Sequence, residues 1–241
     1  MAFVKMCGIQ SREEARAALD CGATALGFLI GLTHRAEDAI GAAEARAIID
    51  QLPSEAEAVL VTHLRDPERV AHLSATIGVR TIQVHDDMTI PDLQRLRVLA
   101  SSARLLKAVH VTGEDSLGRA LSYAGAADAL VLDSRTADRL GGTGLTHDWS
   151  VSARIVEAVT PLPVYLAGGL RPENVGEAVM RVRPAGVDVN SGVEDASGRK
   201  DAQKMREFVA RARAGLQWVH SATEGPVHGS APPRELRGTR G

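Results

Sequence analysis

The feature that most constrains the fold is an alternation. Eight short apolar runs recur along the chain: residues 3–9 (FVKMCGI), 25–30 (ALGFLI), 58–63 (AVLVTH), 81–86 (TIQVHD), 105–111 (LLKAVHV), 128–134 (DALVLDS), 163–169 (PVYLAGG) and 186–192 (GVDVNSG). β-Branched residues are frequent in them. Most are apolar at both odd and even positions, as parallel strands buried on both faces are. A longer amphipathic segment separates each run from the next.

Those segments carry helix punctuation. Ser11 followed three residues later by Glu14 is a capping-box pattern, and Gly22 closes that segment. Asp66 and Pro67 open another, which ends at Gly78. Eight strand–helix repeats over about 215 residues fit a single-domain (β/α)₈ TIM barrel. A doubly wound open sheet uses the same alternation, but no GxGxxG follows the first run. The barrel is expected over residues 1–216. Residues 217–241 read as a disordered tail, because the stretch from 221 onward is rich in Gly, Pro, Ser and Arg and poor in apolar residues.

Composition removes several functions. A net charge of -2 and 3% aromatic content offer neither a basic face nor stacking platforms, so no nucleic-acid partner is expected. No apolar stretch reaches membrane-spanning length, and the N-terminus lacks a basic segment leading into an apolar signal region. Cys7 and Cys21 form neither a zinc spacing nor a disulfide framework. A cytoplasmic protein is the expectation.

Barrels of this kind do their chemistry at the carboxyl ends of the strands. Read in order, those ends offer Cys7, then a loop with His34 and Arg35, then His63, His85, His110, Asp133, Gly168–Gly169 and Ser191–Gly192. Glycines there let backbone N–H groups approach an anion, and the loops after strands seven and eight are the usual phosphate position. A Gly-rich loop, 141–144, could cover a bound ligand. Cys21 lies near a helix end and is assigned to the core.

The segments KMCGIQ, ALGF, IQVH, VLDS, GGTGLTHDW, YLAGGLRPENV and GVDVNSGVE…GRKD resemble, in order across residues 3–212, the phosphoribosylanthranilate isomerases of tryptophan biosynthesis. The resemblance implies an Amadori rearrangement, in which a phosphoribosyl amine becomes an aminodeoxyketose phosphate without metal or organic cofactor. It makes Cys7 the general base and Asp133 the general acid. It puts Arg35, His85, Gly142 and Gly144 on the substrate and Gly168, Gly169, Asn190, Ser191 and Gly192 around the phosphate. The implied partner is a small phosphorylated substrate, and the implied state is a monomer or homodimer. The chemistry asks for a thiol driven toward thiolate and a carboxyl whose pKa is raised.

The pattern departs from the family in places. His34 stands where a small residue or proline is common, Asp86 where a glycine is general, and Asn190 where a small hydroxyl residue is usual. His63 and His110 match no family residue. A paralogue accepting a different amine is therefore one alternative. A metal-dependent hydrolase using His63, His85, His110 and Asp133 is a second, and a non-catalytic phosphoribosyl-ligand sensor is a third.

Overall fold

The computed structural model describes residues 2–33, 37–134 and 147–223. The strands are β1 (Phe3–Met6), β2 (Ala25–Leu29), β3 (Glu57–Thr62), β4 (Thr81–Val84), β5 (Arg104–Val111), β6 (Ala129–Ser134), β7 (Val164–Leu166) and β8 (Gly186–Val189). They alternate with α1 (Arg12–Asp20), α2 (Ala42–Ile49), α3 (Pro67–Ile77), α4 (Ile90–Leu99), α5 (Asp115–Tyr123), α6 (Trp149–Val159), α7 (Val175–Val182) and α8 (Ala202–Thr223). Every strand pairs in parallel with its neighbours, and β1 pairs with β8, so the sheet closes into a barrel. The expected (β/α)₈ fold is the one observed.

The helix signals act as their chemistry requires. Ser11 Oγ accepts from the Glu14 N–H at 3.1 Å, and the Glu14 carboxylate accepts from the Gln10 N–H at 2.9 Å. Asp66 accepts from the Arg69 N–H at 3.0 Å ahead of Pro67. Gly78 ends α3 in the left-handed conformation, at φ 78°, where a side chain would be strained.

Strand alternation divides the chain into two packed layers. Even positions of β1, Val4 and Met6, pack outward under the helices. Phe3 and Cys7 pack inward, with Val59, Val61, Leu106, Ala108, Ala129, Val131, Tyr165 and Ala167 filling the interior. At the amino end of the barrel the rings of Phe3 and Tyr165 stack with centroids 3.9 Å apart. The Arg104 guanidinium lies over both rings and pairs with Glu57 at 3.2 Å.

Midway along β1 an ion pair interrupts the apolar interior. Lys5 and Asp188 are register partners across the β1–β8 seam, and Lys5 Nζ lies 2.7 Å from Asp188 Oδ2. Lys5 is fully buried and Asp188 nearly so. Burial opposes the Lys5 charge, but Asp188 and the Cys7 sulfur outweigh it and raise the pKa of Lys5.

One expected boundary moves. Helix α8 continues to Thr223, past residue 216, with Leu216 and Val219 buried in the core. The apolar residues at the i, i+3 spacing of Leu216 and Val219 carry the helical pattern into the segment read as tail. The rest of that expected tail, 224–241, lies outside the described residues, as do His34, Arg35, Gly142 and Gly144.

Replacing Lys5 by Met leaves Asp188 as a buried charge without its cation. The expected loss is about 3–5 kcal/mol of stability. The double change Lys5→Met with Asp188→Leu should recover most of that loss. Denaturant unfolding of the two variants checks this.

Candidate active site

Cys7 follows β1 directly, and its N–H donates to the Val189 carbonyl at 2.8 Å, which fixes it at the carboxyl rim of the seam. The sulfur has room because β2 carries Gly27. A Cβ at Gly27 would stand 2.8 Å from Cys7 Sγ and 3.0 Å from Lys5 Nζ. Gly8, at φ +73°, then turns the chain away under Asn190 and Asp38, each with an oxygen within 2.7 Å of where a Cβ would be. Burial pushes the Cys7 thiol up to about 11. Lys5 and Lys200 pull it down, while Asp188 and Asp38 push it further up. The free protein therefore holds a thiol here, with the Lys5 and Lys200 ammonium groups placed to stabilise the thiolate.

Asp133 ends β6, inward and nearly buried. Burial first, and then the negative charge of Asp188, raise its carboxyl to about 7; the Ser134 N–H and Lys5 act the other way. The Ser134 N–H donates to Asp133 Oδ1 at 2.7 Å. Gly168 lets the tip of β7 pack onto this acid, since a Cβ there would lie 2.3 Å from Ser134 N and 2.8 Å from Asp133 Oδ1. His85 Nε2 stands 3.4 Å from Asp133 Oδ2. Burial, helped by His110 and His63, holds the His85 pKa well below its usual 6.5, so the ring is neutral. The three strand-end histidines gather here: His63 and His85 stack at 5.1 Å, and His85 meets His110 edge-on at 5.0 Å.

The loops after β7 and β8 meet through Gly192, where a Cβ would stand 1.8 Å from the Leu170 carbonyl oxygen. Residues Ser191–Val193 form a 3-10 turn. The loop after β7 is held by Asn174, which donates to the Gly169 carbonyl at 2.9 Å and accepts from the Arg171 N–H at 2.8 Å. The side chain of Asn190 is engaged elsewhere. It donates to Asp38 at 2.6 Å and accepts from Lys200 Nζ at 2.6 Å, and Lys200 also reaches Glu194 at 2.6 Å. This network ties the loop after β2 to the loop after β8 beside Cys7.

The structure thus brings Cys7, Asp133, His85 and the two small-residue loops to one end of the barrel. Sequence reasoning passed over Lys5, Gln83, Asp38, Asp188 and Lys200. Lys5 and Asp188 did leave a signal: each is a charged residue inside an apolar run, and Lys5 lies two positions before Cys7, on the same face of its strand. Asp86 has a structural task in its loop. It accepts from the Arg65 guanidinium at 2.8 and 3.0 Å and from the Asp87 N–H at 2.8 Å. Cys21 is half-buried and packed against the core, with Sγ 3.4 Å from the Ala202 carbonyl.

Asp133 makes stability depend on pH. Its carboxyl sits near 7 in the fold against 3.8 ordinarily, so the folded chain keeps a proton that the unfolded chain has released. The fold bears no penalty from this group below about pH 4 and an increasing one as pH rises through 7. Asp133→Asn should leave stability nearly unchanged at pH 4. It should raise stability by on the order of 2–4 kcal/mol at pH 8. Melting curves of both proteins across that range read the difference.

Known proteins share the sequence pattern and the fold of this chain. The family model described as N-(5′-phosphoribosyl)anthranilate (PRA) isomerase matches residues 4–211. N-(5′-phosphoribosyl)anthranilate isomerase 2 of Methanosarcina mazei is 41% identical over 212 residues, covering 87% of this chain and 93% of the relative. The enzyme of Methanocella arvoryzae is 38% identical, covering 88% and 99%. The crystal structure of the Thermotoga maritima isomerase superposes with a TM-score of 0.79 at 32% identity, over 89% of this chain and all of that one. A phosphoribosyl anthranilate isomerase solved with reduced 1-(o-carboxyphenylamino)-1-deoxyribulose 5-phosphate gives 0.76 at 30% identity over the same shares. With its barrel, its rim residues and this similarity along nearly the whole folded chain, the protein belongs to the phosphoribosylanthranilate isomerase family.

Proposed function

We propose that this chain converts N-(5′-phosphoribosyl)anthranilate to 1-(2-carboxyphenylamino)-1-deoxyribulose 5-phosphate, with Asp133 as general acid and Cys7 as general base. The observation that carries the reading is the placement of a thiol and a proton-holding carboxyl on the inner rim, both under the influence of the same Lys5–Asp188 pair.

Asp133, still partly protonated at neutral pH, gives its proton to the furanose ring oxygen. The C1′–O bond breaks, the nitrogen lone pair forms the C1′=N bond, and the sugar is left as an open-chain iminium. That cation acidifies C2′. Cys7 then takes the C2′ proton, and the C–H electron pair forms the C1′=C2′ bond of an enolamine while the iminium is neutralised. Protonation at C1′ and loss of the enol proton complete the ketone. A thiol held near 11 is a poor base in the free protein. The positive iminium beside it, together with Lys5, favours the thiolate at the moment it is needed. His85 holds the orientation of the acid.

The phosphate belongs between the loops after β7 and β8, with the N–H groups of Gly169, Ser191 and Gly192 as donors. Gly168 and Asn190 serve that cradle indirectly, by close packing on Asp133 and through the Asp38–Lys200 network. Arg35 is assigned to the anthranilate carboxylate and Gly142 and Gly144 to the covering loop, as family features. Among the described residues no helix is long and apolar enough to cross a membrane.

The test is turnover of phosphoribosylanthranilate, followed by loss of its fluorescence. Cys7→Ala and Asp133→Asn should each lower kcat by about 10²–10⁴ with smaller changes in KM. In the wild type, kcat/KM should rise with pH up to about 7, where Asp133 titrates, and then level off toward the Cys7 value near 11. In Asp133→Asn the break near 7 should disappear. Near-normal turnover by Cys7→Ala would remove the thiol from the mechanism.

A bulky residue at Gly169, whose φ is +65°, should raise KM at least tenfold while kcat changes less, because the cradle and not the acid–base pair is disturbed. Steady-state kinetics of Gly169→Val, on protein shown to be folded by circular dichroism, decides the point.

A further inference from the structure

We infer that His85, His110 and Asp133 form a binding site for a divalent transition-metal ion of the Zn²⁺ or Co²⁺ type, at which the ion inhibits the enzyme. One nitrogen from each imidazole and one carboxylate oxygen lie within 4.8 Å of one another, and all three residues are buried. His85 directly follows β4, and His110 and Asp133 lie in β5 and β6, so the barrel itself brings them together. The 3.4 Å between His85 Nε2 and Asp133 Oδ2 is close to the roughly 3.3 Å that separates two ligands on a tetrahedral zinc with bonds of about 2.0–2.1 Å. Modest ring rotation brings in the third ligand.

The surroundings set the imidazoles for this task. His110 Nε2 stands 3.1 Å from the His85 carbonyl oxygen. A carbonyl only accepts, so Nε2 carries a proton, and a metal ion is bound through Nδ1. A backbone carbonyl holding the far N–H is the usual outer support of a metal-bound histidine. His85 has an equivalent in Gln83, whose Nε2 is 3.5 Å from His85 Nδ1. Among the described residues, Gln83 Oε1 is buried without a hydrogen-bond partner. Turning the amide over lets Oε1 accept from Nδ1–H, which leaves the His85 Nε2 lone pair directed at the ion beside Asp133. His63, stacked on His85, fixes the plane of the ring. Two imidazoles and one carboxylate suit zinc or cobalt better than calcium or magnesium. A water completes the fourth position.

Inhibition follows because the ion occupies the carboxylate that must donate a proton; this consequence rests on the acid role proposed for Asp133, whereas the binding does not. Chelator-treated wild-type protein titrated with CoCl₂ should take up one equivalent with the visible absorption of four- or five-coordinate cobalt, and ZnCl₂ should displace it. His110→Ala and Asp133→Asn should each weaken Co²⁺ binding at least tenfold, and His72→Ala, on the exposed face of α3, should not. Absence of one-equivalent binding, or binding unchanged in both His110→Ala and Asp133→Asn, overturns the site. So does a near-ultraviolet thiolate-to-cobalt band that is lost in Cys7→Ser, since the ion would then sit on the sulfur. Zn²⁺ should inhibit wild-type turnover and EDTA should restore it. Binding at this site without inhibition would uphold the metal site and count against Asp133 as the acid.

Discussion

The ion pair between Lys5 and Asp188 is the interaction on which the rest depends. It lies across the seam where the first strand meets the last, 2.7 Å from charge to charge, against an apolar cluster of Val, Leu, Ala and aromatic side chains. Two opposite charges in that setting tolerate one another only as a pair. Their mutual requirement therefore favours the register that closes the sheet. A slip of one residue along β1 would turn Lys5 out toward the helices and bring Val4 or Met6 inward.

The same pair sets the chemistry of the rim. Asp188 adds to the effect of burial in keeping a proton on Asp133, and Lys5 is the nearest support for a negative sulfur at Cys7. A carboxyl that keeps its proton near neutral pH and a thiol that gains support for its negative form make opposite electrostatic demands, and the two halves of one ion pair act on both. The cost falls on stability, since burial disfavours the charged forms of both Asp133 and Cys7.

Close backbone approach does the remaining positioning. Gly27 leaves space for the sulfur and the ammonium, Gly168 lets β7 press on the acid, and Gly192 joins the loops after β7 and β8. These contacts explain why small residues stand where a phosphate motif alone would ask only for free N–H groups. Asn190 shows the converse. Its side chain links Asp38 to Lys200 and so holds together loops that come from opposite ends of the sequence.

The order of strands and helices, the closure into eight repeats and the rim positions of Cys7, His85 and Asp133 were legible in the sequence, because apolar runs, caps and strand ends are local patterns. The end of α8 was missed because Pro- and Gly-rich composition nearby outweighed the buried spacing of Leu216 and Val219. No local pattern could state that Lys5 would meet Asp188, 183 residues away, or that three histidines from separate strands would stand within stacking distance of one another. The sequence by itself determined which side chains of a strand share a face, since parity along a strand is a property of the strand alone. Only the tertiary structure decided which of them touch, because barrel closure sets the distances between strands, and those distances set the desolvation and Coulomb energies that keep a proton on the Asp133 carboxyl and on the Cys7 thiol.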